Sequence, residues 1–148
     1  MIQFTVETDI ERPVPEVFAY ATDPDKLSTW QTNTVSAVQE GDGPLGLGTR
    51  LREVHRGPGG KELESLVEVS EYAPDSRFGL RMIEGPLPVH ALLGFEHLDG
   101  GTRLFFTVHG QPTGAMRFAQ PLLRIALRRQ FREHCANLKR VLEERPAA

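Results

Sequence analysis

The chain has 148 residues, 39% of them hydrophobic, and a formal net charge of −3, which fits one domain over 1–148 with a sizeable core. Its single cysteine, Cys135, excludes an internal disulfide, no stretch approaches the roughly 18 apolar residues of a membrane span, and residues 1–11 lack the basic start and unbroken apolar run of a secretory leader. A cytoplasmic location is expected.

Residues 1–11 alternate, with Ile2, Phe4, Val6 and Ile10 on one face and Gln3, Thr5, Glu7, Asp9 and Glu11 on the other. A period of two predicts a half-buried strand. From Arg12 to Tyr20 the sequence predicts a helix starting near Pro13 or Pro15, because proline is tolerated in a first turn and Glu16 suits the positive helix end. Val17, Phe18 and Ala21 are expected to face the core. A second short helix is expected over Asp23-Pro24-Asp25-Lys26-Leu27, with Asp23 as N-cap, ending before Trp30. Six strands follow, uninterrupted by a repeat or low-complexity stretch.

Their register follows from asking which pairing keeps apolar residues on one face. The turn Gly57-Pro58-Gly59-Gly60-Lys61 sets Arg56 opposite Glu62 and Arg50 opposite Glu68 on the outside. Leu51 then meets Val67, Glu53 meets Ser65 and His55 meets Leu63 on the inside, with the even positions pointing out. After the turn Ala73-Pro74-Asp75-Ser76, Phe78, Leu80 and Met82 face inward and Arg77 and Arg81 outward. Asp99-Gly100 predicts a two-residue type I′ hairpin, which pairs Phe95 with Leu104, Leu93 with Phe106 and Glu96 with Arg103. Tyr72 breaks the alternation after Val69, which predicts a bulge.

The last segment repeats apolar residues near helical spacing through Met116, Ala119, Leu123, Leu127, Phe131, Cys135, Leu138 and Leu142, an amphipathic helix of about thirty residues that begins near Gln120 or kinks at Pro121. Residues 114–145 carry eight Lys or Arg against three Glu, so a basic rod lies on an acidic body. This is a solvated face complementing that body, or a surface for transient contact with anionic lipid. Aromatic residues do not interleave the arginines at a spacing suited to nucleic acid, and no nucleic-acid partner is expected. A long helix laid across a curved sheet leaves a gap in which small apolar molecules bind.

The order of elements, the segment Ile10-Glu11-Arg12-Pro13-Val14-Pro15-Glu16-Val17-Phe18, the Gly46-Leu47-Gly48-Thr49-Arg50 lead-in to the third strand, the Gly100-Gly101-Thr102-Arg103 hairpin and Leu138-Lys139 near the end together resemble the polyketide cyclase/dehydrase and lipid-transport family of the START-like (SRPBCC, Bet v 1-like) helix-grip superfamily. The resemblance covers nearly the whole chain and is specific for fold, because its motifs are turns, caps and core positions without a shared catalytic set. It implies an α+β helix-grip fold, in which a seven-stranded curved antiparallel sheet wraps around a long C-terminal helix and two short helices lie between strands 1 and 2. It also implies a pocket that in relatives holds lipids, polyketides or other apolar ligands.

The inward positions agree with a pocket. They combine bulk from Phe78, Leu80, Met82, Leu93, Phe95 and Phe106 with the polar Glu53, Ser65 and His55, which a sealed core does not normally accept. Leu51, Val67 and Tyr72 from the sheet, Leu123 and Leu127 from the helix, and Trp30 complete the expected ligand-binding set. Trp30 is either a pocket-rim residue, as in relatives, or a core plug. Glu53 and His55, two apart on a strand, point the same way, so a carboxylate can orient and charge an imidazole as a general acid and base; alternatively Glu53 pairs internally and His55 is wet and idle. His97 is expected half-exposed at a strand end, and His90 and His109 on the outer face. Cys135 is expected as a small core residue.

No Gly-rich phosphate loop, metal-ligand spacing of His and Cys, or Gly-x-Ser-x-Gly elbow occurs, so neither a metal nor a cofactor is expected. Three functions are compatible with the chain, as monomer or homodimer: carriage of a small hydrophobic ligand, ranked first; a polyketide cyclase, aromatase or dehydratase using Glu53 and His55; and a protein-interaction module of the chaperone-activator or ribosome-associated kind.

Overall fold

A computed structural model describes residues 1–85 and 88–145, with the side chains of Pro58 and Met116 excepted; the expected place of Met116 on the helix seam therefore lies outside the described residues. The elements run β1 (Ile2–Ile10), α1 (Val14–Thr22), a 3₁₀ turn (Pro24–Lys26), α2 (Leu27–Trp30), β2 (Thr34–Glu40), β3 (Arg50–Arg56), β4 (Glu62–Ala73), β5 (Arg77–Glu84), β6 (Val89–Leu98), β7 (Gly101–Gly110), a second 3₁₀ segment (Gly114–Ala119) and α3 (Gln120–Glu144). The strands form one antiparallel sheet in the order β1-β7-β6-β5-β4-β3-β2. This is the helix-grip architecture, α+β in class.

Alternation makes β1 as expected: Ile2, Phe4, Val6 and Ile10 are buried and their neighbours exposed. Pro13 caps α1, whose Val17, Phe18 and Ala21 are buried. The Asp23 carboxylate accepts from the Asp25 amide at 3.0 Å and opens the 3₁₀ turn. The helix does not stop before Trp30, however; α2 carries through it, because Leu27 and Trp30, one turn apart, are both buried.

The β3–β4 register is as expected at every pair, and the Arg50–Glu68 ion pair closes at 3.3 Å outside. The even-positioned Leu66 departs from the outward rule, being buried apart from the main core. Register shifts between Val69 and Glu71, next to Tyr72. The β6–β7 hairpin has its two-residue loop and the expected pairs. Its turn is not type I′: Gly100 has φ +73°, whereas Asp75 is the one described non-glycine residue at positive φ, so Asp99 stays out of that region. Only the glycine enters the left-handed region, where a Cβ is costly, which gives the φ signs of a type II turn.

α3 is 25 residues long, shorter than the expected thirty, because the preceding turns through Ala119 are 3₁₀ and Ala119 is exposed. Its C-terminal half is anchored: Arg12 Nη2 donates to Glu143 O at 3.0 Å, Lys139 Nζ to Asp9 O at 2.6 Å, and the Glu11 amide to Glu143 Oε2 at 2.8 Å. His134, Cys135, Leu138 and Leu142 are buried there. Toward the N-terminal end, Leu123, Leu127 and Phe131 are half-buried.

Candidate functional site: a cavity between sheet and helix

The inner face of the sheet is divided. At one end α1 fills the space: the Phe18 ring meets Phe95 at 5.1 Å and Tyr72 at 5.7 Å, and Tyr72 meets Phe78 at 6.1 Å, all edge-on. At the other end no helix of that kind intrudes, and a cavity of about 600 Å³ lies under the first half of α3. Leu63 and Val67 of β4, Leu80 and Met82 of β5, Val89 and Ala91 of β6, and Phe106 and Val108 of β7 form its apolar wall, with Leu123, Leu127 and Phe131 opposite. Gln31, Asn33, Glu53, His55, Arg56 and Ser65, brought together where β2 and β4 flank β3, make one end polar, and Gln130 of α3 adds a further polar group to the lining.

Glu53 is 6% exposed. It stands between Ala37 on β2 and Ser65 on β4, two small neighbours that leave room around the carboxylate. His55 Nε2 lies 3.2 Å from Glu53 Oε1, so the imidazole and the carboxylate are in direct contact. Ser65 Oγ and Asn33 Oδ1 are buried and have no hydrogen-bond partner among the described residues. Buried polar atoms are normally paired, so this end of the cavity has unspent hydrogen-bonding capacity.

Behind the cavity lies a residue the sequence did not single out. His134 is 2% exposed, its ring edge-on to Phe131 at 5.2 Å and Trp30 at 6.4 Å. Burial, with a smaller contribution from His55, lowers its pKa to about 4, so the imidazole is neutral. Its position three residues after Phe131 and four before Leu138, on the apolar seam, was the available signal.

Of the residues expected around a ligand, Glu53, Ser65, Val67, Leu80, Met82, Phe106, Leu123 and Leu127 line the cavity, as does the candidate acid–base partner His55. Six others do not. Trp30 is fully buried against Phe106 and His134, a core plug and not a rim residue. Phe78, Leu93 and Phe95 are buried in the core cluster and Tyr72 is held between Phe18 and Phe78, facing inward as expected but at the filled part of the sheet. Leu51, opposite Val67, is buried but belongs neither to the cavity lining nor to that cluster. Leu63, Val89, Ala91 and Val108 were legible as continuations of the same alternation. Gln31, Asn33 and Gln130 carry no such pattern.

His97 is exposed. His90 and His109 face each other on the outer side, with Ser70 Oγ 2.9 Å from His90 Nε2. Burial raises the Cys135 thiol to about 12, so it stays protonated and inert. Among the described residues no cluster of three or more His, Cys, Asp or Glu could hold a metal ion, and no helix is long and apolar enough to cross a membrane.

This architecture recurs in solved structures. TTHA0849 from Thermus thermophilus is 24% identical and superposes with a TM-score of 0.73, over 96% of this chain and 94% of that one. NE0264 from Nitrosomonas europaea is 14% identical with a TM-score of 0.76, over 97% and 95%. The di-domain ARO/CYC BexL from the BE-7585A biosynthetic pathway is 16% identical with a TM-score of 0.76, over 97% of this chain and 47% of that one. At these identities the likeness is one of fold. No curated protein matches the sequence. The family described as polyketide cyclase / dehydrase and lipid transport matches residues 1–143, and the chain belongs to it.

Proposed function

We propose that the chain binds a small, largely apolar ligand in the cavity between sheet and α3. The observation that carries this reading is the cavity itself: about 600 Å³, walled by aliphatic and aromatic side chains, with polar groups gathered at one end, a size and composition typical of small-molecule sites. An apolar fluorophore should bind the purified protein in the micromolar range, about −8 kcal/mol, and be displaced by a fatty acid or an aromatic polyketide. Ala91→Phe, which fills the cavity from β6, should weaken binding at least about tenfold while the circular dichroism spectrum stays native. Unchanged binding in that variant would place the site elsewhere.

The Glu53–His55 contact favours a second reading, a cyclase, aromatase or dehydratase acting on a polyketide-like substrate. Neutral His55 would take a proton from a carbon flanked by carbonyl groups, with the Glu53 carboxylate beside the ring balancing the charge it gains; the carbanion attacks a second carbonyl carbon of the chain folded in the cavity, and the proton passes from His55 to the new alkoxide. Glu53→Gln should then leave ligand affinity intact and slow turnover by about 10²-fold. For a carrier, the same substitution changes affinity or stability, and there is no turnover to lose.

A further inference from the structure

Where the 3₁₀ segment Gly114–Ala119 runs into α3, the chain presents apolar side chains outward as well as inward. While Leu123 and Leu127 cover the cavity, Phe118, Leu122 and Ile125 on the other side are 80%, 73% and 63% exposed. Leu122 and Ile125, three residues apart, share a face of α3, and Phe118 stands just ahead of them near the end of the 3₁₀ segment. Other large apolar residues with comparable exposure, such as Val38 and Leu47, lie on β2 and its following loop. Three neighbouring large apolar side chains on a short exposed face mark an interaction surface.

Charge identifies the partner. Residues 114–132 contain five arginines and no Asp or Glu. Arg117, Arg124 and Arg129 are exposed, and none of them takes part in a side-chain ion pair among the described residues; Arg117 lies over the Phe118 ring at 5.2 Å. Exposed apolar side chains among guanidinium groups that have no carboxylate partner are the pattern of a segment that lies in a bilayer interface, its apolar residues among the acyl chains and its cations at anionic headgroups. We infer that the outer face of residues 117–129 docks on an anionic lipid surface. Docking places the half of α3 that roofs the cavity against the bilayer, so that an apolar ligand has a short path between lipid and protein. The docking rests on the helix surface alone and does not depend on the ligand reading.

Flotation of the full chain with vesicles tests it. The protein should float with vesicles of phosphatidylcholine containing about 30% phosphatidylglycerol, bind pure phosphatidylcholine at least about tenfold less, and be released by 0.5 M salt as screening shortens the range of attraction. Phe118→Ser with Leu122→Ser and Ile125→Ser, and separately Arg117→Glu with Arg129→Glu, should each reduce flotation at least about tenfold while leaving the melting temperature and the fluorophore affinity unchanged. Three results would overturn the inference: no flotation with anionic vesicles, flotation undiminished by the serine substitutions, or a dimer in analytical ultracentrifugation that those substitutions dissociate while the wild type ignores vesicles. In the last case the face joins two copies of this chain.

Discussion

His134 occupies a helix position that would suit leucine, and its neutral imidazole has a cost at acid pH. The unfolded chain takes up a proton near pH 6.5, but the folded chain does so only near 4. A depressed folded-state pKa contributes stability that is complete above about pH 6.5 and is lost as pH falls towards 4. Between pH 7 and 5 this residue should account for a loss of about 2 kcal/mol, and His134→Leu should flatten the profile in that window; denaturant melts at the two pH values measure it. At the other end of the molecule, the Gly100-Gly101-Thr102-Arg103 motif has a separate physical reason at each position. Gly100 takes a positive φ. A Cβ on Gly101 would stand 2.8 Å from the Ile10 carbonyl oxygen. Thr102 Oγ1 donates to Arg12 O at 2.8 Å, and Arg103 grips Asp9 through two hydrogen bonds. Because the Ile10 contact is backbone and cannot rotate away, Gly101→Ala should destabilise by about 1–3 kcal/mol in a chemical melt. The motif was legible in the sequence as a turn; the close approach at Gly101 depends on where β1 ends and was not.

Along α3 the two halves differ in what holds them. From His134 to Leu142 the helix is buried and tied to β1 and to the turn after it by Arg12, Lys139 and Glu143. The Glu143 carboxyl is held below its ordinary value by the Lys139 hydrogen bond and the Glu11 amide. Nearer the start, the N-terminal ammonium group bonds to Gln120 and Arg124 bonds to Gln3 O at 3.3 Å, both in exposed positions. Local opening follows burial and buried hydrogen bonding, so amides over 134–142 should exchange slowest and those over 122–128 at least about tenfold faster; uniform protection along the helix would contradict this. The apolar seam of α3 was readable from spacing. Its unequal packing was not, because periodicity shows which residues share a face and says nothing of whether that face meets a side chain or empty space. The strand registers were readable for the opposite reason: Arg50 with Glu68 outside and Leu51 with Val67 inside agree on a single pairing, and a slip of one residue would reverse both.

Across the whole molecule, the inner face of one sheet serves two purposes. Phe78, Leu93 and Phe95 belong to the packed core with α1, while Leu80, Met82 and Ala91, on the same strands and facing the same way, border open space. Inward-facing residues of similar type on both sides of that boundary explain why the sequence indicated a pocket but also drew core residues into the lining. The boundary is drawn by where α1 docks, and no strand pattern encodes that. For protein engineering, this division means that the residues packing the core and those bordering the cavity are largely separate sets. Relatives 14% and 24% identical keep the architecture, as expected when much of the interior is free to change. A library randomised at Leu63, Met82, Val89 and Ala91 should retain a cooperative melt in most members. One randomised at Phe18, Phe78, Phe95 and Leu104, with the same number of positions, should retain it in few.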